Sequence, residues 1–164
     1  MLQNVMKITV IGVGKIKENF FVQAVEEYRK RLSRYCQLEL MEVADERTKE
    51  QASDGEIRLV QEREGERILK CIREDCYVVA LTIDGTALDS VELAEKIERL
   101  GVEGRSHLCF VIGGSLGLSD AVCRRADFHL SFSRMTFPHQ LMRVILLEQI
   151  YRSYRIINGE PYHK

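Results

Sequence analysis

No apolar run in these 164 residues approaches the roughly 20 residues that a membrane-spanning helix needs. The N-terminus lacks the apolar h-region of a signal peptide, so a cytoplasmic location is the expectation. There is no C-x-x-C pair among the five cysteines, Cys36, Cys71, Cys76, Cys109 and Cys123, and no histidine at zinc-ligand spacing from them. They read as free, buried or half-buried thiols in a reducing compartment, and no metal is expected. G-x-S-x-G is missing, which argues against an α/β-hydrolase elbow. The glycines after the first strand, Gly12 and Gly14, stand too close for a phosphate-binding P-loop, and Ile16 occupies the place of its Ser/Thr. Neither internal repeats nor low-complexity segments nor a linker is present.

What is there suits one globular domain with a core large enough to hold without disulfides. Apolar residues make up 45% and charged residues 30%. Net charge is only −1, but it is unevenly placed. From Arg124 onward seven Lys/Arg face three Asp/Glu, a balance of +4, against −5 for the first 123 residues. That asymmetry suggests an anionic partner for the C-terminal end.

Strand and helix signals alternate along the chain. KITVIGV (7–13), QLELMEV (37–43), YVVALTI (77–83), HLCFVI (107–112) and 128–132 read as strands, the first apolar enough to be covered on both faces and the third buried. Phe20, Phe21, Ala24, Val25, Tyr28 and Leu32 recur at helical spacing within 17–35. Residues 45–56 read as a charged loop. Ser53 with Glu56, and Asp89 with Glu92, have capping-box spacing. The first opens a helix with apolar Ile57, Val60, Ile68, Leu69 and Ile72, whose dense Glu/Arg alternation reads as a solvated face. The second opens a helix over Leu93, Ala94, Ile97 and Leu100, stopped by Gly101. Asp84-Gly85 reads as a turn ending the third strand. Ser119 starts a short helix to Arg125, and Pro138 opens the most apolar helix, Leu141 to Tyr154. Together these signals predict an α/β domain with a mainly parallel sheet.

Loops 84–88, 113–118 and 132–137 leave C-terminal strand ends, the edge where open α/β sheets bind ligands. The pair Gly113-Gly114 permits close backbone approach, so a nucleotide-sized ligand is expected across the three loops. His139 falls on the first turn of the last helix, where capping or packing is the simpler role. The tail Tyr162-His163-Lys164, if folded back, offers a stacking ring, a proton-transfer group and a phosphate contact.

The segments KITVIGVGKIKE (7–18), FVIGGSLGL (110–118), LSFSRMTFPHQLMRVILLEQIYR (130–152) and GEPYHK (159–164) resemble, in this order, those of the RlmH family. These are SPOUT-class, S-adenosylmethionine-dependent methyltransferases that act on N3 of a pseudouridine in large-subunit (23S) ribosomal RNA. The resemblance covers essentially the whole chain after Met6. It implies a single SPOUT domain over 1–164, with a C-terminal trefoil knot in roughly 77–164, an exception to the general rarity of knots. It implies a homodimer packed through the C-terminal helix region. By the same resemblance the cofactor would lie against Leu81, Gly113, Phe132, Ser133, Arg134, Met135, Thr136 and Phe137. Arg152, Tyr162 and His163 would serve catalysis and Lys164 the substrate, with one protomer's tail completing its partner's pocket. His163 is the first candidate to take the N3 proton, and Arg152 to stabilise charge on the base oxygens. Weak overall basicity favours the assembled ribosome over free RNA as substrate. Competing readings are a SPOUT enzyme acting on transfer RNA and a nucleotide-binding module without chemistry.

Overall fold

The computed structural model describes residues 5–164. Ten elements alternate: β1 (Lys7–Val13), α1 (Asn19–Leu32), β2 (Gln37–Val43), α2 (Asp54–Cys71), β3 (Tyr77–Ala87), α3 (Ser90–Val102), β4 (His107–Ile112), α4 (Asp120–Arg125), β5 (Phe128–Ser131) and α5 (His139–Ile157). All strand pairs are parallel, in the order β2-β1-β4-β3-β5. Parallel strands need crossovers, and the helices that make them cover both faces.

The period-two alternation of β1 and β4 sorts their side chains into two cores. Ile8, Val10, Leu108, Phe110 and Ile112 face α1, α3 and α5, packing on Val25, Leu32, Ile97, Leu146 and Ile150. Ile11, Val13, Cys109 and Val111 face α2 and α4 and meet Ile68 and Val122. Every strand inside the sheet is therefore buried twice, which is why these segments are apolar throughout. Among the described residues no helix is long and apolar enough to cross a membrane.

The cysteines are free, with Cys36, Cys76 and Cys109 buried and Cys71 and Cys123 half-buried. Asp89 and Glu92 complete a reciprocal capping box on α3, and the Ser53 hydroxyl accepts from the Glu56 amide at 3.2 Å.

Four local expectations change. β3 does not end at Asp84-Gly85 but runs to Ala87, because Leu81 and Thr86 both pair with Leu130 and residues 82–85 bulge out between them. α1 is shorter than 17–35. α3 continues past Gly101 to Val102, and the left-handed glycine after it is Gly104 (φ 84°). The polar face of α2 is not wholly solvated: Glu64 is buried.

Candidate active site

The three loops converge on one cavity of about 730 Å³ at the C-terminal ends of β3, β4 and β5. Its size lies within the roughly 300–1,000 Å³ of small-molecule sites. Each wall has a structural cause. The bulge of β3 swings Thr82, Ile83 and Asp84 toward the cavity, and the Ser131 hydroxyl ties it to β5 by donating to the Ile83 carbonyl at 2.9 Å. The Thr82 hydroxyl is buried there with no protein partner. A group of that kind is satisfied when a ligand supplies the missing hydrogen bond.

The second wall is the glycine turn after β4. A Cβ on Gly113 would come within 2.9 Å of the Gly117 carbonyl carbon, so only glycine lets this turn close so tightly. The Gly117 amide donates to the Gly114 carbonyl at 3.1 Å, with Gly117 in the left-handed region (φ 82°). α2 braces the turn from outside: Gln61 Nε2 donates to the Leu116 carbonyl at 2.6 Å. Glu64 lies under Gly114 and accepts from the Glu46 amide at 2.9 Å. Burial raises the Glu64 carboxyl above its ordinary range, outweighing the lowering by that hydrogen bond.

The third wall follows β5, where Phe132 packs against the core and the Ser133 hydroxyl accepts from the Met135 amide at 2.9 Å. Pro138 sits at the N-cap of α5 (φ −54°, ψ 138°), one residue before the helix rather than inside its first turn. His139 and Met142 then point their turn of α5 at the cavity. Burial and the Arg143 charge hold the His139 imidazole below its usual value. Arg143 itself is buried, with Nη1 2.7 Å from Glu42 and Nη2 donating to the carbonyls of Val13 (2.8 Å) and Gly14 (2.5 Å).

A second cluster forms where the tail folds back on α5. Glu148 receives Arg152 Nη2 at 2.7 Å and the Tyr162 hydroxyl at 2.9 Å. The Arg152 guanidinium lies 4.6 Å from the Tyr162 ring centroid, and Tyr162 meets Tyr151 edge-on at 5.0 Å. Arg152 Nη1 is 3.2 Å from His163 Nδ1. Arginine only donates, so Nδ1 accepts and the ring hydrogen sits on Nε2. Burial, then the Glu148 contact, pushes the Tyr162 phenol up to about 12, so it stays protonated.

The model of the family described as "Predicted SPOUT methyltransferase" matches residues 6–163. The chain belongs to the SPOUT methyltransferase family. Among similar proteins, two named "Ribosomal RNA large subunit methyltransferase H" come from Bifidobacterium adolescentis and Clostridioides difficile. They are 62% and 57% identical over 97% of this chain and 100% of each relative. The solved structure of a probable methylase family protein from Haemophilus influenzae shares the fold at 15% identity and a TM-score of 0.54, over 100% of this chain and 72% of that one.

Of the residues expected around the methyltransferase's cofactor, Leu81, Gly113, Phe132, Ser133, Met135, Thr136 and Phe137 line the cavity, whereas Arg134 is exposed outside its lining. Among the described residues Arg152, Tyr162, His163 and Lys164 are absent from that lining. Arg152 stands ten residues beyond Met142 on α5, about 15 Å along its axis. Thr82, Gln61 and Met142 belong to the cavity but escaped sequence reasoning, and His139, which also lines it, was weighed there and ranked low. His139 had a signal, its place directly after the loop, yet looked like a packing residue. Thr82 had none, because only the bulge turns it inward. The basic C-terminal end is also less free than its charge suggests. Arg125 donates to the carbonyls of Arg73, Glu74 and Cys76, while Arg143, Arg152 and Arg155 pair with Glu42, Glu148 and Glu160.

Proposed function

We propose that this methyltransferase modifies N3 of a pseudouridine in the RNA of the large ribosomal subunit, using S-adenosylmethionine, as one catalytic domain over residues 1–164. The observation that carries the reading is the near-full-length identity, up to 62%, to proteins named for that RNA. The cavity fits the cofactor by its chemistry. Leu81, Phe132 and Phe137 offer apolar walls for a flat base, the turn at Gly113 admits close backbone approach, and Thr82 has a hydroxyl awaiting a partner. S-adenosylmethionine, when bound, supplies a methyl group already activated on a sulfonium. The chain's task is therefore mainly to position the base and remove its N3 proton.

The tail is the candidate for that task, acting on the cavity of a second copy. Two observations favour this composite arrangement: the tail residues lie apart from their own chain's cavity, and Leu141, Val144 and Ile145 on α5 remain only half-buried in the single chain. A trefoil knot over roughly 77–164 belongs to the same reading. It is supported by the β4–β5 connection, which crosses β3 to place β5 at the edge of the sheet. His163 cannot accept a proton at Nδ1 while Arg152 donates to it. Transfer of the Arg152 donor to a base oxygen frees that lone pair, coupling charge stabilisation to proton removal. Lys164 would contact phosphate, and the ribosomal substrate places the enzyme in the cytoplasm.

The test is transfer of labelled methyl to ribosomal particles from cells lacking the protein, with the product located by mass spectrometry. His163→Ala should lower turnover by about 10²–10⁴ at nearly constant cofactor affinity. Unchanged turnover rejects the assignment. His139 supports a second reading, because it is the histidine that lines the cavity. If His139→Ala alone abolishes turnover at constant affinity, the proton chemistry belongs there. Methylation of free RNA as fast as of assembled particles would exclude the ribosome as the preferred substrate. Label on transfer RNA instead would reassign the substrate, and no label on any RNA would favour a non-catalytic module.

A further inference from the structure

The opposite edge of the sheet, at the starts of β3 and β4, gathers three side chains of another kind. Cys76 immediately precedes β3, and His107 opens β4. Their Sγ and Nδ1 atoms lie 3.2 Å apart, although 31 residues separate them in the chain. A carboxylate oxygen of Asp75 joins them, all three ligand atoms lying within 4.8 Å of one another. Behind the imidazole, Thr9 Oγ1 stands 2.8 Å from Nε2 and is itself buried.

We propose that Asp75, Cys76 and His107 bind a thiophilic divalent cation of zinc's coordination preferences, remote from the methyl-transfer cavity. One thiolate, one imidazole and one carboxylate form a mixed S, N, O set that suits zinc and disfavours magnesium or calcium, which take oxygen ligands. In a tetrahedral site, ordinary zinc–sulfur and zinc–nitrogen bonds place the two ligand atoms about 3.5 Å apart. The 3.2 Å found here therefore needs a shift of a few tenths of an ångström. Thr9 supplies the outer contact such sites use: its hydroxyl can accept from Nε2–H in the tautomer whose Nδ1 lone pair faces Cys76. Cys76 and Thr9 are buried, whereas Asp75 is exposed, giving the ion a path inward and leaving the fourth position to water. On binding, Cys76 loses its thiol proton to solvent, and neutral His107 coordinates without a proton change. The ion would clamp the starts of β3 and β4, the two strands whose far ends carry the cavity.

The experiment is titration of the reduced full-length protein with Zn²⁺ against a chromophoric chelator, with Co²⁺ as the spectroscopic substitute. One ion per chain and a thiolate-to-cobalt charge-transfer band are expected, with no competition from Mg²⁺. Cys76→Ser should abolish the band, and Thr9→Val should weaken zinc affinity about 10–100-fold. Asp75→Asn, at an exposed position that leaves folding intact, should weaken it as well. Cys123→Ser and His163→Ala should change neither affinity nor band. The proposal is overturned by substoichiometric binding to the wild type, by a band that survives Cys76→Ser, or by equal loss in Cys123→Ser.

Discussion

Arg143 offers the sharpest test of how α5 is held against the sheet, and its replacement by methionine isolates the guanidinium. Methionine keeps most of the aliphatic volume but removes the ion pair to Glu42 and the two bonds to the carbonyls of Val13 and Gly14. Glu42 is 41% exposed and can turn to water, so the charge left behind costs little. The two carbonyls lose a charged donor, at about 1.5–3 kcal/mol each. Against this stands the relief of burying a guanidinium whose Nε has no partner. The balance is a loss of about 2–3 kcal/mol. For a domain of this size that corresponds to a fall in Tm of about 4–12 °C. Urea unfolding followed by circular dichroism reads the loss directly, and Arg143→Lys should recover only part of it, having no fork to hold the carbonyls and Glu42 at once. Gly12 supplies an internal check. A Cβ there would lie 2.5 Å from Arg143 Nε, so Gly12→Ala should cost less in the Arg143→Met background than alone. A loss below about 1 kcal/mol for Arg143→Met, or simple additivity with Gly12→Ala, would refute this account of the anchor.

Gly113→Ala forces its methyl against the Gly117 backbone and Leu118, and should weaken S-adenosylmethionine binding by about 5–150-fold in calorimetric titration. Wild-type affinity would mean that the turn is not a wall of the binding site. Glu64 makes stability fall with rising pH. Its folded pKa is raised above the ordinary 4.5, so from there up to the folded value the folded chain holds a proton that the unfolded chain has released. Below that window its contribution is fully present. Glu64→Gln should therefore match the wild type in acid and gain on it above pH 4.5, and a difference in Tm that is constant with pH would contradict the shift.

Much of the fold was legible because buried parallel strands and capped helices leave local marks. KITVIGV and HLCFVI are apolar on both faces because helices cover both, and Asp89–Glu92 forms its reciprocal cap as the spacing predicts. The three loops were also readable as one edge, since parallel strands align their C-terminal ends. What escaped was whatever depends on which elements are neighbours in space. Glu64 looks like any other acid on a charged helix until Gly114 is found resting on it. The Asp84-Gly85 pair does turn the chain, but pairing with β5 resumes at Thr86, so a strand end became a bulge. Cys76 and His107 are invisible as a pair because they meet only through the adjacency of β3 and β4. His139 and His163 could not be ranked by composition, and one proved to line the cavity while the other closes on Arg152.

α5 begins with His139 at the cavity and carries, thirteen residues later, the arginine that holds the tail. It is thus a ruler as well as a wall. A helix cannot be stretched by a side-chain change, and losing or gaining one residue moves everything beyond it by about 1.5 Å and 100°. Such an insertion would leave the cavity and the Glu148–Tyr162 grip each chemically intact but aimed past one another. The number of residues between His139 and Arg152 therefore sets the distance from the cavity to the tail, whatever side chains those positions carry.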